Sequence, residues 1–477
     1  MTVPSEDPGS DRTGHAQPDS GLAALPGSGA PGIGRTWLNW IPQAVRATLP
    51  IWFVSRVTVI VLSLATSRAL SGQPGADLPG VSALWNRWDV GLFTKVARFG
   101  YESPMYTDHT EVDFPGYPIA MRFAHLFIGD WTVAGMAVSF VAGAVAVAAI
   151  WQMQIDDTSA AGASTSTGPV VSASIEQSSA GTGPVSAGTG RAAAGTGRAA
   201  AGTGQARGGT GRAAGGIRLW AGPGDQDRRA ADFAVLALLL FPYAVFLCAG
   251  YSEAIFLGFA TTSWLAARRQ HWWLAGLLGA GAASTRVTGI PFCVGLAVQY
   301  VVSRRRAGLP VFATSGLALA LPPLPVLAFV TYLRVRTGRW DSYAWAMRVG
   351  WHRDIDWPWV GWRATWHGAF DASQSSAWTW FWRGEMAAVV VGVVLTVALV
   401  WSARLGEAAF VGVATLLMSS SNYYASGIRT ILVAFPMYLL LARVATRCPW
   451  VRPAYIWLCA PVMAAFVVAF TQGQWVD

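Results

Sequence analysis

"WTVAGMAVSFVAGAVAVAAIW", Trp131 to Trp151, holds neither a charged residue nor a proline across its whole length. As an α-helix it would be roughly 30 Å long, which matches the hydrocarbon core of a bilayer. One face of a soluble helix cannot bury so much apolar surface, so the segment reads as a membrane span. Comparable blocks recur at about 49–69, 232–250, 252–267, 272–284, 287–302, 310–333, 386–402, 407–421, 428–443 and 454–471. The expected fold is therefore an all-α polytopic membrane protein of about eleven helices. A hydrophobic content of 53% over 477 residues agrees with that class.

Four regions follow from the pattern. Residues 1–48 are rich in Pro, Gly, Ser and Asp and are expected to be a disordered cytoplasmic N-terminus. They lack a basic-then-apolar leader, so the first span is expected to act as its own insertion signal. Residues 49–151 hold the first two spans and a polar loop, 70–130. Residues 152–231 repeat Gly-Thr-Gly every seven positions from 181 to 209, with only small residues where a coiled-coil seam needs large ones. They read as a flexible cytoplasmic linker. Residues 232–477 hold the remaining spans and a second long loop, 334–385.

The net charge of +9 does not indicate nucleic-acid binding, because the arginines cluster at span ends, as at Arg268-Arg269 and Arg304-Arg305-Arg306. Placing these clusters and Arg443/Arg447 inside puts both long loops outside. Arg56, within the first span, is expected to snorkel to the cytoplasmic surface. The 334–385 loop holds ten of the 25 tryptophans, which fits an interfacial belt, a sugar-stacking surface or a cover for a lipid headgroup. The cysteines, Cys248, Cys293, Cys448 and Cys459, lack metal-ligand spacing and read as small buried hydrophobes.

"RWDVGLFTKVARFGYES", 87–103, is the charged exception in the first loop. At helical spacing Leu84, Trp88, Leu92, Val96 and Phe99 form one stripe, so 84–99 is expected to be an amphipathic helix lying on the outer surface. Asp89 falls at the edge of that stripe. It is either a surface acid paired with Arg87 or Arg98, or a partly desolvated carboxylate able to take a proton from a hydroxyl. "DFPGYP", 113–118, cannot continue a helix and is expected to turn the chain into the next span. "YSEAIF", "STRVTG" and "SGIRTILVAFP" place Glu253, Arg286 and Arg429 at the outer ends of spans, with a helix break at 284–289. Two arginines on the same face as Asp89 could hold a phosphate, and Glu253 could orient an acceptor or an arginine.

Taken in order, "RWDVGLFTKVARFGY", "FPGYP", "YSEAIF…STRVTG" and "RTILVAFP" resemble the PIG-V family. These mannosyltransferases add the second mannose to glycosylphosphatidylinositol, and the likeness is greatest to their bacterial relatives. It extends over most of 50–475 outside the linker. It implies a GT-C-like bundle and a polyprenyl-phosphate-dependent hexosyltransferase, acting with inversion on the extracytoplasmic face of the plasma membrane. The implied donor is polyprenyl-phosphate-mannose; the acceptor is a glycolipid, a lipoglycan or a protein. Carried over, Asp89 and Trp88 become the catalytic pair, with Arg286 and Arg429 as donor-phosphate ligands. Glu253, Asp113 and Tyr117 would shape the acceptor site. No cofactor is indicated and metal dependence is open. The chain departs from the family's FFPLYP pattern at Asp113 and Gly116, and from a small residue at Val90, which bears on the acceptor. A nucleotide-sugar enzyme using Asp354-x-Asp356 or Asp225-x-Asp227 is the first alternative, but no stretch can form its soluble α/β domain. A transporter or flippase of a lipid-linked sugar is the second, given the broken helices.

Overall fold

The computed structural model describes residues 41–70, 80–102, 109–166, 224–371 and 375–476. The N-terminal 40 residues and the Gly-Thr-Gly repeats lie outside the described residues. Every regular element described is helical. Five stretches are long and apolar enough to cross a membrane: Gln43–Leu70, Trp131–Ser159, Thr314–Thr337, Trp378–Trp401 and Val451–Thr471. The chain is a helical membrane protein.

The first loop carries most of the departures from the expected pattern. Helix α1 (Ile41–Leu70) is followed by α2 (Val81–Trp85), α3 (Asp89–Phe99) and α4 (Gly116–His125). The expected helix over 84–99 is broken, because Trp88 has φ 52° and ψ −123°, which no continuous helix accommodates. The expected apolar stripe fails as well. Leu84 and Val96 are buried but Trp88 and Phe99 are exposed, and α3 buries Val90, Phe93 and Ala97 in the core against α4 and α5. This helix packs its buried face into the protein core.

Helix α5 (Trp131–Ser166) is the central post and packs along α1, α4, α6 (Asp225–Leu239) and α7 (Ser252–Arg268). Its closest partner is α7, where a Cβ on Gly258 would come within 2.9 Å of the Ala142 carbonyl oxygen. Glycine there permits backbone approach, the usual source of cohesion between helices in lipid.

Several expected spans are interrupted at proline. The 232–250 segment ends its helix at Leu239, just before Phe241-Pro242, and resumes as a 3₁₀ turn over Ala244–Leu247. The pair α8 (Trp272–Ala283) and α9 (Gly289–Arg306) is separated by Ser284–Thr288, the break expected at "STRVTG". Next come α10 (Leu324–Thr337), α11 (Ser342–Gly350) and α12 (Pro358–Phe370). The second long loop is thus largely helical. Helix α13 (Ser376–Trp401) begins ten residues before its expected start and takes Trp378, Trp380 and Trp382 out of that loop. Helix α14 (Leu405–Ser419) follows, and the expected 428–443 span splits into α15 (Gly427–Leu432) and α16 (Pro436–Arg447) before α17 (Val451–Thr471).

The charges at the Arg268 end of α7 are paired. Asp157 accepts from Arg268 at 3.0 Å and Arg404 at 3.0 Å, and lies 3.1 Å from Arg443. Glu407 accepts from Arg268 at 2.7 Å and also binds Arg404. Arg56 does not snorkel. It is 3% exposed, 4.6 Å from the Trp52 ring centroid, and donates to the Ala244 carbonyl at 3.3 Å. Halfway along α1, it faces the 3₁₀ turn Ala244–Leu247 that joins α6 to α7. Cys248 and Cys459 are buried, Cys293 and Cys448 half-buried, and all four are free thiols.

Candidate functional site

At the opposite end of α7, the N-terminal turn presents Glu253, which is fully buried. Its Oε1 accepts from Arg429 Nε at 2.6 Å and lies 2.8 Å from Arg286 Nη1. One carboxylate therefore gathers two guanidinium groups from segments 143 positions apart in the chain, at a site where an unpaired charge would be very costly. Arg429 is further confined between the rings of Tyr251 and Phe246, at 4.9 and 5.0 Å. Its Nη1 donates to Asp89 Oδ2 at 3.0 Å. The result is a continuous chain, Arg286–Glu253–Arg429–Asp89.

Asp89 is the first residue of α3, and its backbone N–H donates to Tyr251 Oη at 3.2 Å. Its ion-pair partner is neither Arg87 nor Arg98, the local candidates. Arg87 instead donates to the Thr471 carbonyl at 3.3 Å, and Arg98 lies over the Phe99 ring. Helix α2 ends at Trp85, and the unusual backbone of Trp88, the N-cap of α3, starts the next helix at the aspartate.

The two breaks in the outer segments meet. Gly116 N–H donates to the Ser284 carbonyl at 2.7 Å, so "DFPGYP" lies directly on "STRVTG". A Cβ on Gly116 would fall 2.3 Å from Ser284 Oγ and 2.6 Å from its carbonyl oxygen, so only glycine fits. This departure from the expected pattern serves backbone contact beside Arg286. Val90, the other departure, is wholly buried.

A cavity of about 840 Å³ opens beside these groups, lined by Asp89, Asp113, Arg286 and Arg429 among others. Both long loops contribute to it, since Tyr343 and Arg353 come from the second. Asp113 follows a 3₁₀ turn, Thr110–Val112, and its carbonyl accepts from Tyr101 Oη at 2.5 Å. Burial, and secondarily the Asp89 carboxylate, push the Asp113 carboxyl well above the usual range.

The structure gathers Asp89, Arg286, Arg429 and Asp113 on the cavity wall and sets Glu253 directly behind the arginines. Two other expected residues stand apart from the wall. Trp88 meets Trp475 edge to face at 4.7 Å, and it is Trp475 that faces the cavity. Tyr117 is fully buried behind Phe93, with ring centroids 5.0 Å apart, because α4 turns it into the core and not toward the cavity. Asp354 lines the cavity mouth but is paired with Arg348 at 3.1 Å, and Asp225 and Asp227 occupy the start of α6. Among the described residues no three His, Cys, Asp or Glu side chains form a metal-binding group.

Sequence reasoning missed several wall residues. His367 and Asp371, 2.9 Å apart at the cavity mouth, could have been noticed from their i,i+4 spacing on a helix. Trp475 and Tyr343 carried no comparable signal.

No family model and no curated protein matches this chain.

Proposed function

We propose that the cavity transfers a hexose, with mannose the first candidate, from a polyprenyl-phosphate donor to an acceptor hydroxyl. The enzyme so read is a PIG-V-like mannosyltransferase of the GT-C class, with about eleven membrane passages. It acts on the extracytoplasmic face of the plasma membrane, with the stretch between α5 and α6, shorter than the expected 152–231, as a cytoplasmic linker. The acceptor belongs to a glycolipid, a lipoglycan or a protein.

The observation that carries this reading is the pair Arg286 and Arg429 held by one buried carboxylate at a cavity wall, with Asp89 on the second arginine. Paired guanidiniums grip a phosphate through several N–H donors. In the proposed step the acceptor oxygen attacks C1 of the sugar from the face opposite the phosphate, and its proton passes to the Asp89 carboxylate. The C1–O bond to phosphate breaks, and the electron pair stays on the phosphate oxygen. Asp89 becomes neutral as the phosphate gains negative charge, so the attraction of Arg429 moves from the aspartate to the leaving group. Stabilisation thus grows with progress toward the transition state, as catalysis requires. Glu253 holds both arginines in place throughout.

The test uses the purified chain in vesicles with radiolabelled polyprenyl-phosphate-mannose. Release of polyprenyl phosphate with labelling of an acceptor extract is expected from wild type. Asp89→Asn is expected to lose about 10²- to 10⁴-fold in rate with donor binding retained. Movement of intact donor across the bilayer without bond cleavage would reject transfer in favour of transport.

A further inference from the structure

Asp113 is the carboxyl of this cavity that the chain of ion pairs leaves over. Glu253 and Asp89 each hold an arginine, whereas Asp113 forms no ion pair among the described residues and its Oδ2 is buried with no hydrogen-bond partner among them. The residue is only 8% exposed yet lines the cavity. Its backbone is fixed on both sides, by Tyr101 Oη at its carbonyl and by Gly116 on Ser284 three positions later. The neighbouring Phe114 ring packs on Phe329 at 5.2 Å and Tyr343 at 6.2 Å, so the segment is anchored.

We propose that Asp113 is a substrate-binding residue, which hydrogen-bonds a hydroxyl of the sugar or of its acceptor inside the cavity. The inference rests on the sugar-transfer reading of the same site.

An unsatisfied buried carboxyl is a standing cost that a ligand hydroxyl would remove. Charge decides which form of the acid meets that hydroxyl. Arg286 and Arg429 are balanced by Glu253 and Asp89, so an ionised Asp113 would be a third anion beside these two cations. The groups acting on it are Asp89, Glu111 and Arg429, with Tyr101 and Tyr343 beside it; Arg429 is already shared, and Arg353, on the same wall next to Tyr343, donates to Ser421 Oγ at 3.4 Å. The upward shift of its carboxyl agrees with this count. A neutral carboxylic acid donates through O–H and accepts through C=O, the two functions a sugar hydroxyl can answer at once. A carboxylate there would instead repel the phosphate that the arginines attract. The donor and the acceptor both carry hydroxyls, so either can be the source.

The test compares Asp113→Asn and Asp113→Leu in the full chain. The asparagine keeps a neutral donor and acceptor and is expected to stay within about threefold of wild-type kcat/KM. The leucine removes both and is expected to lose about 10- to 100-fold, chiefly in KM. A rise in donor KM assigns the hydroxyl to the sugar, and a rise in acceptor KM assigns it to the acceptor. Binding of mannose 1-phosphate, followed by tryptophan fluorescence, reports on the donor side without turnover. Difference infrared spectra of wild type against Asp113→Asn are expected to show the C=O band of a protonated acid, whether or not the enzyme turns over. Equal losses in both variants, an unaffected leucine variant, or a carboxylate band in place of the acid band would overturn the assignment. A wild type that neither transfers nor binds mannose 1-phosphate overturns the transferase reading as well, whereas a transferring wild type with a silent leucine variant overturns Asp113 alone.

Discussion

Glu253→Gln is the sharpest perturbation of the site, because it keeps the shape of a wholly buried side chain and removes only its charge. Two contacts are at stake, Arg429 Nε at 2.6 Å and Arg286 Nη1 at 2.8 Å. Breaking a buried pair from one side leaves the partner's charge uncompensated, at about 3–5 kcal/mol. Arg429 keeps Asp89, so the loss falls most heavily on Arg286. Arg286 Nε and Nη1 make no hydrogen bond among the described residues, which leaves the Glu253 charge as a main part of its support. The expected destabilisation of Glu253→Gln is therefore about 3–5 kcal/mol. Arg286→Gln alone should cost somewhat less, because Glu253 retains Arg429. Once one partner is gone, removing the other costs little, so the double variant should be more stable than the sum of the singles by about 1.5–3 kcal/mol. The measurement is reversible unfolding in mixed micelles containing dodecyl sulfate, run on all four proteins. Additivity to within about 0.5 kcal/mol would show that Glu253 does not hold Arg286, and the proposed phosphate grip would lose its support.

Three further outcomes follow from named contacts. Gly116→Ala should destabilise by about 1–3 kcal/mol, since the added methyl meets the Ser284 backbone, and a thermal shift in detergent reads it. Its transfer rate should fall too, because Ser284 is two residues from Arg286. Asp157→Asn should destabilise by about 3–5 kcal/mol, as three arginines converge on that carboxylate. The same variant should keep the wild-type KM for donor, measured below its unfolding temperature, because α7 sets about 22 Å between Asp157's partner Arg268 and Glu253. Asp113 gives a pH signature. Its folded carboxyl titrates above the unfolded value of about 3.9, so the folded state binds the extra proton and stability falls as pH rises from there through the raised pKa. Asp113→Asn should remove that dependence, gaining on wild type at neutral pH and matching it below about pH 4, as read by unfolding across the pH range.

Some of the site was legible in the residues. A charged or proline-broken motif stands out in an apolar chain, so Asp89, Glu253, Arg286 and Arg429 could be picked out one by one, and "STRVTG" could be read as a break. Their partners could not. Asp89 was as consistent with Arg87 or Arg98 as with any distant cation, because spacing along a helix reports only local neighbours. Its actual partner lies 340 positions away. The 84–99 stripe failed for a related reason: periodicity presumes an unbroken helix, and a left-handed backbone at a tryptophan carries no compositional warning.

What the sequence determined by itself is the solvent. Blocks of some twenty apolar residues satisfy their own backbone as helices and leave lipid as the only medium that suits their side chains, so an all-helical membrane protein follows from composition and spacing. What only the tertiary structure decided is which polar groups share an environment. Burial makes the choice of partner nearly compulsory for a charge, and the partner is set by how helices cross. The contact of Gly116 with Ser284 and the two-sided hold of Glu253 on Arg286 and Arg429 are products of that crossing. So is the burial of Asp113 on the cavity wall, where its Oδ2 has no hydrogen-bond partner among the described residues and its carboxyl is pushed upward.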